Sequence, residues 1–119
     1  MSKGLPQDSL GFLVADLARR MRGAFALHLE GSGLTLAQAR ALLYVARHEG
    51  MRQVELSELL EVQPITLARL IDQLQQSGLV ERRADPKDGR AYRIFLTSAS
   101  GPHLVTIERV ASVIRKQSL

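Results

Sequence analysis

Two leucine-spaced segments that almost touch constrain this 119-residue chain more than any other feature. The first, VELSELLEV, places Leu56, Leu59 and Leu60 three and four residues apart, which gathers them on one face of a helix. The second, PITLARLIDQLQQSG, repeats the device with Leu67, Leu70, Ile71 and Leu74, while Thr66, Arg69, Gln73 and Gln76 fall on the other side. Only Glu61, Val62 and Gln63 lie between the two patterns, and Pro64 stands where a helix begins, its fixed φ suiting the first turn. Two apolar faces joined by so short a turn must cross steeply to share one core. The predicted unit is a helix-turn-helix whose second helix keeps one polar flank free to touch something else.

Gly78 is a natural helix stop, and the sequence after it, LVERRADPKDGRAYRIFLT, changes period. Tyr92, Ile94 and Leu96 alternate with Arg93 and Phe95, as a half-buried strand requires, so the segment reads as a hairpin. Its connection, roughly Ala84 to Arg90, exceeds the two to five residues usual in hairpins. Turn signals at Asp85-Pro86 and Asp88-Gly89 sit beside Lys87 and Arg90, which makes the connection a reaching, cationic loop. The fold class expected is mainly α with a small β-hairpin wing, that is, α+β.

Helices are also expected on both sides of this unit. After a frayed tail over residues 1–7, Asp8 can serve as N-cap to a long helix whose stripe runs through Leu10, Leu13, Val14, Leu17, Met21 and Phe25 to about Glu30. Gly31-Ser32-Gly33 ends it. Thr35 and Gln38 form a capping box for a core helix carrying Ala39, Leu42, Leu43 and Ala46, closed by Gly50. The last segment, about 101–117, offers Leu104, Val105, Ile107, Val110, Val113 and Ile114, too many apolar groups for one narrow stripe. Surplus apolar surface on a terminal helix marks an association face. The expected dimer contact therefore sets Leu10, Leu13 and Leu17 against these same residues, Leu104, Val105, Ile107, Val110, Val113 and Ile114. Three units follow: 1–33, a tail and dimerisation helix; 34–97, the winged helix-turn-helix; and 98–119, a C-terminal dimerisation helix.

Charge favours a polyanionic partner without identifying one. The chain carries a net charge of +4, yet residues 52–93 hold seven Lys or Arg against seven Asp or Glu. Placement matters more than the total. Glu55, Glu58 and Glu61 crowd the first helix of the pair, whereas Arg82, Arg83, Lys87, Arg90 and Arg93 gather on the wing. There is no cysteine and no apolar run long enough to span a bilayer, so no membrane partner and a cytoplasmic protein are expected. His28, His48 and His103 lack paired ligand spacing, and no nucleophile elbow, P-loop or paired-carboxylate signature is present. Neither a metal, nor another cofactor, nor catalysis is expected.

The order of elements, the GLVERR segment after the second helix, and the DPKDGR wing followed by an LT step resemble the MarR/SlyA family of bacterial winged-helix regulators. The resemblance covers about Leu34 to Thr97. It implies a homodimer whose long terminal helices interlock, bound to a pseudo-palindromic double-stranded DNA operator, usually as a repressor released by a small aromatic or anionic effector. It also implies that Lys87 and Arg90 enter a minor groove, with Asp88 orienting the Arg90 guanidinium, and that an effector pocket lies near Phe12, Arg40 and Tyr44. Absence of cysteine removes the thiol oxidation that triggers peroxide-sensing members. The chain departs from the pattern in three places. Arg52 occupies the position where a Ser or Thr cap precedes the first reading helix, LTSASG is one residue longer than the common spacing, and the last helix is expected to be shorter than is typical.

On the reading helix, Gln63 falls at the N-cap and Pro64, Ile65, Thr66, Arg69 and Gln73 follow on or beside the free flank. Arg can grip guanine O6 and N7, Gln can do the same for adenine, and Thr can reach a phosphate. On the wing, Arg83 joins Lys87, Asp88 and Arg90; Arg82 and Arg83 either contact phosphates or simply flank the strand. The function expected is sequence-specific, DNA-binding transcriptional regulation. Two alternatives stand beside it: a winged-helix module that binds a partner protein through Glu55, Glu58 and Glu61, and a small-molecule-binding protein with a vestigial wing.

Overall fold

A computed structural model describes the backbone of residues 5–29 and 31–118 and the side chains of 10–29, 31–113 and Lys116. Among the described residues, five helices and one hairpin run in the order α1 (Leu5–His28), α2 (Leu36–Arg47), α3 (Gln53–Leu60), α4 (Pro64–Gln76), β1 (Val80–Ala84), β2 (Tyr92–Leu96) and α5 (Gly101–Ser118), with a 3-10 turn, Ser98–Ser100, before α5. The wing and helix pair predicted from the sequence are both present.

The core forms where the apolar faces of α2, α3 and α4 meet the hairpin. Ala39, Leu42, Val45, Leu56, Leu60, Leu67, Ile71, Leu74 and Ile94 are all buried there. Most of the leucine pattern is borne out, with one correction. Leu59 is 43% exposed, and Ser57 takes its place inside, its hydroxyl donating to the Val54 carbonyl at 2.6 Å. Helix α3 packs against α2, α4 and β2, and the face it turns to them carries Leu56, Ser57 and Leu60, which leaves Leu59 at its edge.

Capping explains several boundaries. Thr35 accepts from the Gln38 N–H at 3.1 Å and Gln38 returns the bond to the Thr35 N–H at 3.0 Å, the reciprocal box expected. Between α3 and α4, Glu61 adopts the left-handed region with φ 56°, which lets the chain reverse within three residues. The Val62 N–H then donates to the Ser57 carbonyl at 3.1 Å and satisfies the end of α3.

The hairpin is antiparallel, with Val80 opposite Leu96 and Ala84 opposite Tyr92. A third strip of backbone extends it. The Gly50 N–H donates to the Ile94 carbonyl at 2.9 Å, the Ile94 N–H donates to the Met51 carbonyl at 3.1 Å, and Arg52 bridges Arg93. Gly50 holds φ at +88°, and a Cβ there would meet the Phe95 ring at 3.4 Å, so both backbone and space favour glycine.

Several expectations about the ends need correcting. Helix α1 starts at Leu5, so Asp8 lies within it and is not its N-cap, and residues 5–7 are helical, not a frayed tail. Its last helical residue is His28; Glu30, the expected end, is outside the described residues. Along its first half Leu10, Phe12, Leu13, Val14 and Leu17 are exposed, whereas Phe25 and Leu29 pack on the core. On α5, Ile107 is fully buried and Val110 nearly so within their own chain. Neither has surface left to offer a partner, so both leave the expected dimer contact. Among the described side chains of α5, the exposed large apolar residues are Val105 and Val113, both named for that contact. Leu104 is half-buried against the core, and the side chain of Ile114 is outside the described residues.

Candidate nucleic-acid interface

Helix α4 is held on one side only. Leu67, Ile71 and Leu74 are buried beneath it, and Leu70 is half-buried beside them. Gln63 occupies the N-cap without a side-chain bond and Pro64 follows in the first turn, as its locked φ favours. Gln63, Pro64, Ile65, Thr66, Arg69 and Gln73 are all exposed. Gln73 differs from the rest because its Oε1 accepts from Gln38 Nε2 at 2.8 Å, which ties the polar flank of α4 back to α2. Among the described residues, no ion pair or side-chain hydrogen bond engages Arg69. A cation on an outward helix face with no protein partner remains available to an external anion or base edge.

Arg82, by contrast, is occupied. Its Nε donates to Gln53 Oε1 at 2.9 Å, Nη2 donates to the Ala68 carbonyl at 3.0 Å, and Nη1 meets Asp72 Oδ1 at 2.5 Å. One guanidinium thereby binds α3, α4 and β1 together. Arg83 also has partners on its own strand pair: it forms an ion pair with Glu81, and its guanidinium carbon lies 3.9 Å from the centre of the Phe95 ring. Of the two arginines that the sequence left between phosphate contact and strand flank, Arg82 serves as an internal tie.

The seven-residue wing loop is organised by Asp85, which sequence reasoning took only as a turn former. Its carboxylate is shielded from solvent, accepts from Arg52 Nε at 2.8 Å, pairs with Arg93 Nε at 3.2 Å, and accepts from the Lys87 N–H at 2.8 Å. The Lys87 N–H and the two arginines together hold this carboxyl below its ordinary pKa, outweighing the opposing effect of desolvation. The same contact explains the unusual Arg52. It makes no cap for α3 and instead reaches across 33 positions to fasten the wing. The first-turn donors of α3 are left without a side-chain acceptor, next to a cleft lined by Arg52, Gln53, Arg90 and Tyr92.

Asp88 acts differently from the expectation. Its Oδ1 accepts the backbone N–H of Arg90 at 3.1 Å, closing a local turn; it does not clamp the guanidinium. Lys87 and Arg90 are both exposed, and among the described residues neither forms an ion pair. The loop thus presents two unpaired cations on a base fixed by Asp85.

A cavity of about 460 Å³ opens where α1, α2 and α5 meet, lined by Arg22, Phe25, Leu36, Ala39, Arg40, Leu43 and Ile107. Arg40 was expected here and is present. Tyr44 does not line the cavity but carries the Arg40 guanidinium 5.5 Å from its ring centre. Phe12 is 79% exposed on the far half of α1 and does not line this cavity.

A family model described as the MarR family matches residues 32–91 of this chain. Among solved structures, a MarR transcriptional regulator from Methanosarcina mazei Go1 is 29% identical over 92% of this chain and 78% of its own, with a TM-score of 0.85. A probable transcriptional regulator from Pseudomonas aeruginosa is 30% identical over 95% of this chain and 84% of its own, with a TM-score of 0.81. A mutant MarR from E. coli complexed with operator DNA is 23% identical over 92% and 79%, with a TM-score of 0.84, a likeness of fold.

Proposed function

We propose, from the premise that this chain belongs to the MarR family and is a DNA-binding transcriptional regulator, that it represses by binding a pseudo-palindromic operator as a homodimer. In this reading α4 enters one major groove per half-site and the wing tip lies along the neighbouring minor groove. The observation that carries it is the one-sided burial of α4: Leu67, Ile71 and Leu74 are inside, while Ile65, Thr66 and Arg69 stand exposed. Arg69 is the candidate for bidentate contact with guanine, with Gln63 and Thr66 beside it for adenine or phosphate. Lys87 and Arg90 suit a narrow, strongly negative A·T-rich minor groove. The uncapped start of α3, next to Arg90, suits a backbone phosphate.

The homodimer is supported by the apolar surface that one chain leaves uncovered. Leu10, Leu13, Val14 and Leu17 of α1, with Val105 and Val113 of α5, would be covered by the same helices of a second copy. Relief of repression is assigned to a small effector in the cavity between α1, α2 and α5, whose Phe25 and Leu43 suit an apolar body and whose Arg22 and Arg40 suit an anionic group. No described helix is long and apolar enough to cross a membrane, and a cytoplasmic setting goes with this reading. Operator binding requires no catalytic step.

Selection of bound sequences from random duplexes tests the whole scheme. The expected product is a palindrome with half-sites about 10 base pairs apart, centre to centre. No enrichment, or binding indifferent to salt, would overturn it.

A further inference from the structure

We propose that Ile65 is a specificity residue which reads the C5-methyl group of a thymine in each half-site. The inference rests on the major-groove reading above. Ile65 is the second residue of α4 and is 61% exposed. At about 100° per residue, Ile65, Arg69 and Gln76 all point within about 30° of the direction opposite the buried row Leu67, Ile71 and Leu74. Among the described residues, nothing in its own chain accounts for a large β-branched side chain at this place. It does not enter the core, and isoleucine is a poorer helix former than the alanine, glutamine or glutamate that would serve an exposed first turn.

Single exposed apolar residues are common on protein surfaces. The position of this one is what carries information, because it stands among the polar groups of Gln63, Thr66 and Arg69 at the leading end of the reading helix. Isoleucine has no donor or acceptor, so it cannot answer the N7, O6, N6, N4 or O4 groups along the groove floor. Against those edges it would displace water and return no hydrogen bond. The one major-groove feature it matches is a methyl group, which thymine alone of the four bases carries. Arg69 follows four residues later, about 6 Å along the helix axis, a distance comparable with two base-pair steps of about 3.4 Å. Each half-site is therefore expected to hold a methyl-bearing thymine and, about two base pairs away, a guanine.

The experiment takes the full chain and the duplex recovered by selection, and replaces thymines one at a time, symmetrically in both half-sites, with deoxyuridine. That exchange keeps the base pair and removes only the methyl group. The wild-type protein is expected to lose about four-fold in affinity per half-site at a single position, the worth of one buried methyl, and little elsewhere. Ile65→Ala is expected to bind the thymine duplex more weakly and to be indifferent to deoxyuridine at that position, while Ile65→Val keeps an intermediate sensitivity. Because the side chain is exposed and alanine is the better helix former, neither variant should lower the unfolding midpoint. A wild-type protein indifferent to every replacement, or Ile65→Ala retaining the same methyl-sensitive position, overturns the inference and leaves DNA recognition intact. Failure to bind any duplex instead overturns the major-groove reading on which it rests.

Discussion

Arg82→Ala should loosen the reading head without removing a DNA contact. The side chain is only 17% exposed and serves three elements: Gln53 at the start of α3, the Ala68 carbonyl within α4, and Asp72 one turn further along α4. Hydrogen bonds to an ionised group contribute about 1.5–3 kcal/mol each in mutational series, and the two to Gln53 and Ala68 are of this kind. Asp72 is 64% exposed, so its ion pair adds less than about 1 kcal/mol. These terms share one guanidinium and do not add fully, which sets the expected loss at about 3 kcal/mol. For a chain of this length that lowers Tm by about 10 °C, measured by thermal or urea melts at fixed protomer concentration. Arg82→Lys should recover little, because a single ammonium cannot span the same three acceptors. Operator affinity should fall, but the slope of log K against log salt should stay at its wild-type value, since no phosphate contact is lost. A destabilisation under about 1 kcal/mol, or a slope lowered as far as by removal of a wing-tip cation, would refute the reasoning.

Arg90→Ala removes such a cation, and fluorescence anisotropy over a salt series should show the slope reduced by about 2 for a dimer, with the loss concentrated on operators with A·T-rich flanks. Ile71→Ala empties a fully buried site beneath α4 and should cost about 2–5 kcal/mol in denaturant melts; a loss below 1 would mean the helix is not seated by that face. Leu17→Asp on the exposed stripe of α1 should shift sedimentation from dimer towards monomer while leaving far-UV circular dichroism unchanged. Asp85 supplies a pH test. Its folded pKa lies below the ordinary value of 3.8, so its stabilisation is complete above about pH 5 and is lost as pH falls through the ordinary and then the folded value. Stability near neutrality should therefore be flat with respect to this group, and Asp85→Asn should be less stable at pH 7 with a shallower acid limb.

Local periodicity and caps carried most of the fold. The leucine spacing of α4, Pro64 and the Thr35–Gln38 box are each written within a few residues, and each appears in the structure; β2 also forms over Tyr92–Leu96, but Tyr92 is exposed and only Ile94 is fully buried, so the expected in-and-out alternation does not. The sites of error share a different origin. A helical period says which residues align but not how wide a neighbour covers them, hence the exposed Leu59 and the buried Ile107 and Val110. The apolar surplus on α5 pointed to an association face, but part of that surplus is absorbed by the chain's own core. Long-range ionic ties leave no local trace either: Arg52 and Asp85 are 33 positions apart, and both looked anomalous or ordinary when taken singly. The only available hint was that Arg52 was unsuited to its capping position. For the wing, Asp88-Gly89-Arg90 reads equally well as a turn or as a guanidinium clamp, and in the structure the Asp88 carboxylate makes the turn bond to the Arg90 backbone N–H.

The fastening of the loop by Asp85 and of the helices by Arg82 has a mechanical consequence. Because α3, α4 and the hairpin are bolted to one another by charged groups, each protomer offers DNA a stiff block instead of a helix and a flap that adjust separately. In the proposed reading, an effector seated among α1, α2 and α5 lies away from those ionic ties and meets the block only through α2, which shares its core. The coordinate most open to it is the span between two such blocks, so release from an operator would become a matter of gauge: two jaws set too wide or too narrow for the pitch of the double helix.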